Sequence, residues 1–182
     1  MRKIVVYLAG PDVFMSDAAD VGRRKIEACA RYGLTALFPL DAKPVKARTP
    51  RARAMAISKA NERLIRRADW VFANLTPFRA PSADAGTVFE IGFARALGKR
   101  VYGYTATTDL FATRTRKAHA PGARAKRDRS GHAIEDFGLT DNLMIDGAIA
   151  ASGGFIVPHK AEDLSAFTAF EILLKKVAGR LR

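Results

Sequence analysis

Residues 3–14 read KIVVYLAGPDVF, a short apolar run that ends at a glycine and a proline. Apolar and β-branched residues in a run of this length predict a strand at Lys3–Leu8 that is buried on both faces, as in a parallel sheet. Four further runs have the same character: Leu34–Phe38, Asp69–Leu75, Arg100–Tyr104 and Gly154–Val157. Five such runs favour a parallel sheet that is covered on both faces.

Helical patterns lie between these strands. A first helix is predicted from Ser16, a good N-cap residue, to Gly33, and the single Cys29 lies on its apolar stripe. Further helices are predicted around residues 57–68, 86–97 and 162–181. Strands that alternate with helices predict a doubly wound α/β sheet in one domain spanning residues 1–182. Residues 105–152 are less regular and are predicted to form a long excursion between the last two strands.

Composition excludes several classes of protein. A hydrophobic content of 48% argues against disorder, and one cysteine excludes an intramolecular disulfide and a cysteine-rich zinc module. The three histidines are far apart in sequence, so no metal site is expected. No apolar run approaches the roughly 20 residues of a spanning helix, and Gly10 ends the first run too early for a signal peptide. These features predict a soluble, cytoplasmic protein that does not enter a membrane.

The net charge of +13 is concentrated in two segments. Residues 43–67 hold nine basic residues and one acid, and residues 113–132 hold seven and one. Such segments attract nucleic acids, nucleotides or acidic headgroups, but they equally form solvated surfaces. They contain few aromatic residues for base stacking and no recognisable nucleic-acid-binding motif, so specific nucleic-acid binding is not expected.

Candidate chemistry follows two of the strands. In an open parallel sheet, ligands bind beyond the carboxyl ends of the strands. Residues 9–14 follow the first strand, and residues 76–90, which include Asp84 and Glu90, follow the third. Paired carboxylates cleave glycosidic bonds when one is an ionised nucleophile and the other handles a proton. The glycine-rich patterns of dinucleotide and NTP sites are absent from the sequence.

Structural roles compete with each of these assignments. Residues 87–90 fit a capping box, which would place Glu90 in the first turn of a helix and aim it at the N-cap amide. Asp84 suits a turn, Gly10 suits a tight turn after a strand, and Tyr7 and Phe14 suit core packing. The residue pattern alone leaves these alternatives open.

Three blocks of sequence carry a family resemblance. Residues 7–14, YLAGPDVF, resemble the opening signature of the nucleoside 2-deoxyribosyltransferases. Residues 73–99, with ANLTPFR, DAGTVFEIGFA and ALGK, are similar to the central block, and residues 134–144, IEDFGLTDNLM, to the C-terminal block. The resemblance is closest to the branch that accepts purine and pyrimidine donors.

This resemblance implies a fold and a reaction. The fold is a flavodoxin-like α/β/α sandwich with a five-stranded parallel sheet. The reaction moves 2-deoxyribose between nucleobases through a covalent ester, with no metal and no organic cofactor. Glu90 matches the nucleophile, Asp84 the proton-handling acid, and Tyr7 the tyrosine that orients the nucleophile. A carboxylate at a helix N-terminus is held in its ionised form, which suits this role for Glu90.

The resemblance also implies a binding site that is shared between subunits. The matching positions are Gly10, Asp12, Phe14, Asn61, Asp141, Asn142 and Met144. Asp12 and Phe14 match positions that border the nucleobase. Asn142 matches an asparagine that a neighbouring subunit contributes to the sugar 5′-hydroxyl, which implies a homo-oligomer. Some relatives carry Asp at the position of Asn61, and some carry Gln where this chain has residues 42–43, so base recognition is expected to differ.

A hydrolase is the alternative within the same fold. Water would then resolve the intermediate, and the substrates would be nucleosides or nucleoside 5′-monophosphates. The basic excess suits a phosphate, whereas the Asp141–Asn142 pair suits a 5′-hydroxyl.

Overall fold

A computed structural model of the protein describes residues 3–41, 47–161 and 163–180. These residues contain one parallel sheet of five strands in the order β2-β1-β3-β4-β5. The strands are β1 (Val5–Ala9), β2 (Thr35–Leu37), β3 (Trp70–Asn74), β4 (Arg100–Thr105) and β5 (Ile156–Pro158). This is the flavodoxin-like doubly wound order, whose switch point lies between β1 and β3. The predicted five-stranded parallel sheet is confirmed.

Six α-helices lie between and after the strands in this part of the chain. They are α1 (Ala18–Arg31), α2 (Pro50–Arg67), α3 (Ala85–Ala96), α4 (Phe111–His119), α5 (Leu143–Ala151) and α6 (Phe167–Gly179). Short 3-10 turns follow β1 at Pro11–Phe14 and β2 at Pro39–Asp41. The excursion between β4 and β5 thus contains two helices that were not predicted. The N-cap of α4 is Leu110, which makes no side-chain capping bond, so no cap signal marks this helix in the sequence.

The helices form two layers around the sheet. The core on one face of the sheet includes buried residues of α1 and α6, and the core on the other face includes buried residues of α2, α3 and α5. Successive residues of β1 point to opposite faces. Val6 and Leu8 therefore pack with α1 and α6, whereas Tyr7 and Ala9 pack with α2, α3 and α5. This alternation aims Tyr7 at the layer that contains Glu90.

Helix boundaries differ from the predictions, most of all at α2, which begins at Pro50 rather than near residue 57. The N-cap of α1 is Asp17 rather than Ser16, and α6 begins only after Ala166, whose φ of 47° is left-handed. Cys29 is buried, as predicted. Residues 42–46, which include the predicted departure at 42–43, lie outside the described residues.

The described residues of the two basic segments lie mostly on exposed surface. The first covers α2, in which Ile65 is the one fully buried residue, and the second covers most of α4 and the loop after it. No helix among the described residues has the length and apolar character needed to cross a membrane.

Candidate active site

The carboxyl end of β1 turns sharply beside β3. A Cβ atom at Gly10 would lie 2.7 Å from Cβ of Asn74, so only glycine allows this close approach of the two chain segments. The 3-10 turn Pro11–Phe14 follows directly and leaves the ring of Phe14 55% exposed. The turn therefore presents an aromatic ring at the edge of the sheet.

Glu90 lies in the second turn of α3. The N-cap of this helix is Asp84, whose carboxylate accepts a 3.2 Å hydrogen bond from the amide of Thr87. The predicted capping box from Thr87 to Glu90 is therefore wrong, because the helix begins three residues before the pattern placed its start. Glu90 is the sixth residue of α3 and is free to project toward the sheet.

Tyr7 and Glu90 form the central pair of the site. The Tyr7 hydroxyl donates a 2.5 Å hydrogen bond to Oε1 of Glu90, and Tyr7 is fully buried. Burial, the negative charge of Glu90 and this hydrogen bond hold the pKa of Tyr7 well above its ordinary value. Tyr7 therefore stays protonated and acts as a fixed donor to Glu90.

Burial raises the pKa of Glu90 to about 7. The hydrogen bond from Tyr7 lowers this pKa, and the negative charge of Asp84 raises it. The expectation that the helix N-terminus holds Glu90 ionised is wrong, because Glu90 lies beyond the first turn and the effect of burial dominates. The Tyr7 donor, and not the end of the helix, favours the carboxylate form.

This raised pKa predicts how stability depends on pH. A carboxyl whose pKa is higher in the folded state than in the unfolded state stabilises the fold at low pH, and that contribution is lost as pH rises toward 7. We expect Glu90→Gln to melt at a higher temperature than the wild type. The gap in stability between the two proteins should grow from pH 4.5 to pH 7 and stay constant above pH 7. For this partly exposed group the gap is on the order of 2 kcal/mol.

Thermal unfolding of both proteins across pH 4–9 measures this gap. Glu27→Gln, on the exposed side of α1, is the matched control and should show no such opening. An E90Q protein that is less stable than the wild type at pH 8 would contradict the prediction.

Glu90, the acceptor of the Tyr7 hydrogen bond, lines a cleft of about 340 Å³. This volume lies within the range of small-molecule sites, roughly 300–1,000 Å³. The lining residues are Gly10, Val13, Phe14, Pro39, Leu40, Ile57, Asn61, Asp84, Gly86, Thr87 and Glu90. Five of the residues singled out in the sequence therefore meet here, with Tyr7 bonded to Glu90. Pro39 and Leu40 were missed, although they follow β2 and the same strand-end rule could have found them.

A larger groove of about 750 Å³ lies along residues 116–137 and reaches Leu143. Its two carboxylates are already engaged: Glu135 accepts from Asn142 and Leu143, and Asp136 pairs with Arg116. The smaller cleft is the better candidate, because its carboxyl carries a raised pKa and an oriented hydrogen-bond donor.

Asp12 and Asp141 do not reach the cleft. Asp12 is 2% exposed and its carboxylate bonds to Lys25 and Asn74 inside the protein. Asp141 is fully buried, pairs with Arg114, and accepts hydrogen bonds from the amide of Ala83 and the hydroxyl of Ser82. The prediction that these two side chains contact substrate is corrected accordingly, because both serve as internal acceptors that hold loops.

Asn142 and Met144 also lie away from the cleft of their own chain. Asn142 is the N-cap of α5, where it accepts from the amide of Met144 and donates to Glu135. Met144 is 71% exposed. Neither residue lines the cleft.

A second aromatic ring supports Phe14. The rings of Phe14 and Phe78 stack with centroids 5.2 Å apart and planes 9° apart. The guanidinium of Arg79, whose backbone φ of 58° is left-handed, lies 5.0 Å from the centroid of Phe14 and 4.5 Å from that of Phe78. Arg79 is exposed, so this aromatic cluster places a cation beside the cleft. Among the residues that the structure describes, no three potential metal ligands of the His, Cys, Asp or Glu type lie together.

The fold and the site define a class: a doubly wound α/β protein with a carboxyl–phenol pair in a small-molecule cleft at the switch point of its sheet. The family model described as nucleoside 2-deoxyribosyltransferase matches residues 6–144. The chain therefore belongs to the nucleoside 2-deoxyribosyltransferase family.

Individual proteins are similar to this chain in sequence or in fold. An uncharacterized protein, C191.05c of Schizosaccharomyces pombe, is 31% identical over 97% of this chain and 89% of its own length. The structure of a 2-desoxiribosyltransferase from Leishmania mexicana superimposes with a TM-score of 0.65 at 26% identity, over 94% of this chain and 97% of that one. A CMP N-glycosidase from Clostridium botulinum shares the fold, with a TM-score of 0.50 at 15% identity over 97% and 98% of the two chains.

Proposed function

We propose that the protein is a nucleoside 2-deoxyribosyltransferase of nucleotide salvage, which exchanges the nucleobase of a 2′-deoxynucleoside and retains the β-configuration. The observation that carries this proposal is the Tyr7–Glu90 hydrogen bond in a cleft that also contains Asp84. Family membership and the structural likeness to the Leishmania mexicana enzyme support the same activity.

In the first half of the reaction, ionised Glu90 attacks C1′ of the deoxyribose. A Glu90–C1′ ester bond forms, the N-glycosidic bond breaks, and its electron pair goes to the base nitrogen. The departing base takes up a proton at that nitrogen, and Asp84 is the residue placed to deliver it. Tyr7 donates to Oε1 of Glu90, which keeps the carboxyl group oriented toward the sugar.

In the second half, a nitrogen of the incoming base attacks C1′ from the opposite face. The ester bond breaks and Glu90 returns to its carboxylate form, while Asp84 takes the proton of the incoming nitrogen. Two inversions give net retention, and no metal or organic cofactor enters either step.

The cleft also contains groups suited to a base. The exposed ring of Phe14 offers a stacking surface, and the amide of Asn61 offers both a donor and an acceptor to a base edge. Some relatives carry Asp at the position of Asn61. Compared with Asp, Asn61 has an additional hydrogen-bond donor and no negative charge.

We also propose a homo-oligomer in which Asn142 reaches the cleft of a neighbouring copy. The side chains around Asn142 fit an interface, because Phe137, Leu143 and Met144 are all large, apolar and exposed. Sedimentation velocity of the wild type and of Met144→Glu tests this interface.

The carboxyl–phenol pair predicts the pH profile of transfer. Only ionised Glu90 is a nucleophile, so kcat/KM should fall as pH falls through about 7. Tyr7→Phe removes the hydrogen bond that lowers the pKa of Glu90. The acid limb of its kcat/KM profile should therefore move to higher pH. We expect a loss of about tenfold at pH 6 and a smaller loss at pH 9.

Steady-state assays of Tyr7→Phe across pH 5–9 measure this shift. Tyr32→Phe changes a tyrosine of the opposite layer and should leave the profile in place. An acid limb that does not move in Y7F would mean that Tyr7 does not control the ionisation of Glu90.

Asp84→Asn separates the two roles of Asp84. Asn is as good an N-cap as Asp, so α3 and the melting temperature should change little. Asn cannot deliver the proton that Asp84 would give to the departing base, so kcat should fall about 100-fold with ordinary deoxynucleosides. A donor whose base carries a fixed positive charge, such as 2′-deoxy-7-methylguanosine, needs no proton and should lose far less. Equal losses with both donors would remove Asp84 from the proton-transfer role, and the exposed Asp20→Asn is the control.

A single chromatographic assay tests the proposed function. The protein is incubated with 2′-deoxyinosine or thymidine, with and without excess adenine. Appearance of 2′-deoxyadenosine only in the presence of adenine is the expected result. Release of free base at the same rate in both reactions would identify a hydrolase instead.

One observation favours that second candidate for phosphorylated substrates. The exposed guanidinium of Arg79 lies over the ring of Phe14 at the edge of the cleft and can pair with a phosphate. If deoxynucleosides give no turnover, nucleoside 5′-monophosphates are the next substrates, and Arg79→Ala should raise their KM.

A further inference from the structure

A charged side chain is buried in the core at a position that the mechanism does not use. Lys25 lies on the inner side of α1 and is fully buried. Its ammonium group donates three hydrogen bonds, at 2.9 Å to Asp12, 2.8 Å to the hydroxyl of Tyr104 and 2.7 Å to the carbonyl of Ser165. All three N–H donors of Lys25 are therefore satisfied.

Asp12 connects this ammonium group to the edge of the sheet. The carboxylate oxygen of Asp12 that bonds to Lys25 also accepts a 3.1 Å hydrogen bond from the amide of Asn74, the last residue of β3. Asn74 in turn accepts from the amide and the hydroxyl of Thr76. The cluster thus joins α1, the turn after β1 and the loop that leads from β3 to Asp84.

The turn that Asp12 anchors is the one that carries Phe14. Asp12 and Phe14 are the second and fourth residues of the 3-10 turn Pro11–Phe14. The side chain of Asp12 points into the protein, whereas that of Phe14 is exposed and lines the cleft. An exposed ring is positioned mainly by its backbone, and here the backbone is fixed by a buried ion pair two residues away.

We propose that the Lys25–Asp12 ion pair is a positioning device that holds the stacking ring of Phe14 at the height of a bound nucleobase. This inference deepens the proposed function and rests on it for the identity of the ligand. Stability alone does not explain why this position holds an ion pair, because well-packed apolar residues of similar size are often at least as stabilising as a buried ion pair. Its location beneath the turn Pro11–Phe14 instead suits a role in holding that turn in place.

A double-mutant cycle in Asp12 and Phe14 tests the proposal. Asp12→Ala should raise KM for the deoxynucleoside about tenfold and change kcat by less than about threefold, because Glu90 and Tyr7 are untouched. Phe14→Ala should raise KM by a similar factor. If Asp12 acts through Phe14, the D12A/F14A double mutant should have the KM of F14A alone. Multiplied effects in the double mutant would overturn the proposal.

A conservative variant covers the case in which D12A does not fold. Asp12→Asn keeps an oxygen acceptor for Lys25 and removes the charge, so its KM should lie between the values for wild type and D12A. Arg23→Ala removes an exposed ion-pair cluster from the same helix and should leave KM unchanged. A D12N protein with a lower melting temperature and an unchanged KM would show a purely structural role and contradict the proposal.

A second readout needs no activity. The chain has one tryptophan, so Phe14→Trp in a W70F background reports on the turn alone. Adding D12N or D12A should lower the fluorescence anisotropy of F14W and increase its quenching by acrylamide. An unchanged anisotropy would overturn the positioning role even if no deoxynucleoside is turned over, so failure of this inference can be told apart from failure of the proposed function.

Discussion

Replacing Glu90 by Gln is expected to lower kcat for base exchange by about 10,000-fold or more, the scale of loss seen when a covalent nucleophile is removed. The substitution keeps the shape of the side chain and an acceptor for Tyr7, so the fold should be retained. Asp84 remains in the cleft, but its carboxylate caps α3 by accepting from the amide of Thr87 and is therefore not placed to replace Glu90 as nucleophile. The loss should therefore appear in kcat for every donor base.

Trapping of the intermediate distinguishes this loss from a defect in binding. Wild-type protein quenched in acid during turnover should carry one added deoxyribosyl group on the peptide that contains Glu90, as read by mass spectrometry. E90Q should carry none, whereas Glu27→Gln should behave as wild type because Glu27 lies on the exposed face of α1. Near-normal turnover by E90Q, or a label on another residue, would refute the assignment of Glu90 as nucleophile.

Asp141→Ala is expected to lower the free energy of unfolding by about 3–5 kcal/mol, the typical cost of breaking one half of a buried ion pair. Arg114 is 9% exposed and would lose the carboxylate with which it forms a buried ion pair. The hydroxyl of Ser82 and the amides of Ala83 and Asn142 would lose their acceptor as well. Each buried donor that is left unpaired adds to the cost.

Urea unfolding of D141A at neutral pH measures this change, with Glu171→Ala as the control. Glu171 pairs with Arg31 on the surface, and such exposed pairs contribute at most about 1 kcal/mol. Because Ala83 precedes Asp84, D141A should also lower kcat under conditions in which the protein is still folded. A stability loss no larger than that of E171A would show that Asp141 is not the acceptor that holds this loop.

The sheet and the cleft were predictable because their signals are local. The strands follow short, mostly apolar runs, and the strand-end rule then pointed to Gly10, Phe14, Asp84 and Glu90 without knowledge of the structure. The helix predicted at residues 86–97 is α3, which begins one residue earlier at Ala85. The competing capping box at Thr87 and Glu90 does not form, because the actual cap, Asp84, lies three residues before Thr87. A local pattern cannot choose between two acceptable caps.

The buried charges could not be predicted, because their partners are distant in sequence. Lys25 on a helix resembles a solvated residue until its carboxylate, 13 positions away, is folded against it. Asp141 resembles a ligand-binding residue until Arg114, 27 positions away, is seen beside it. Both cases are tertiary effects that outweigh the usual preference of charged side chains for solvent.

Cys29 is the one cysteine of the chain, it is buried on the inner side of α1, and burial raises its pKa to about 12. The thiolate is the reactive form of cysteine, so the native protein should be inert toward maleimides and aromatic disulfides. A cysteine introduced on the outer side of α6 would then be the sole point of covalent attachment to a dye or a solid support. Conversely, the rate at which Cys29 is slowly modified in the unaltered protein would measure how often α1 opens away from the sheet.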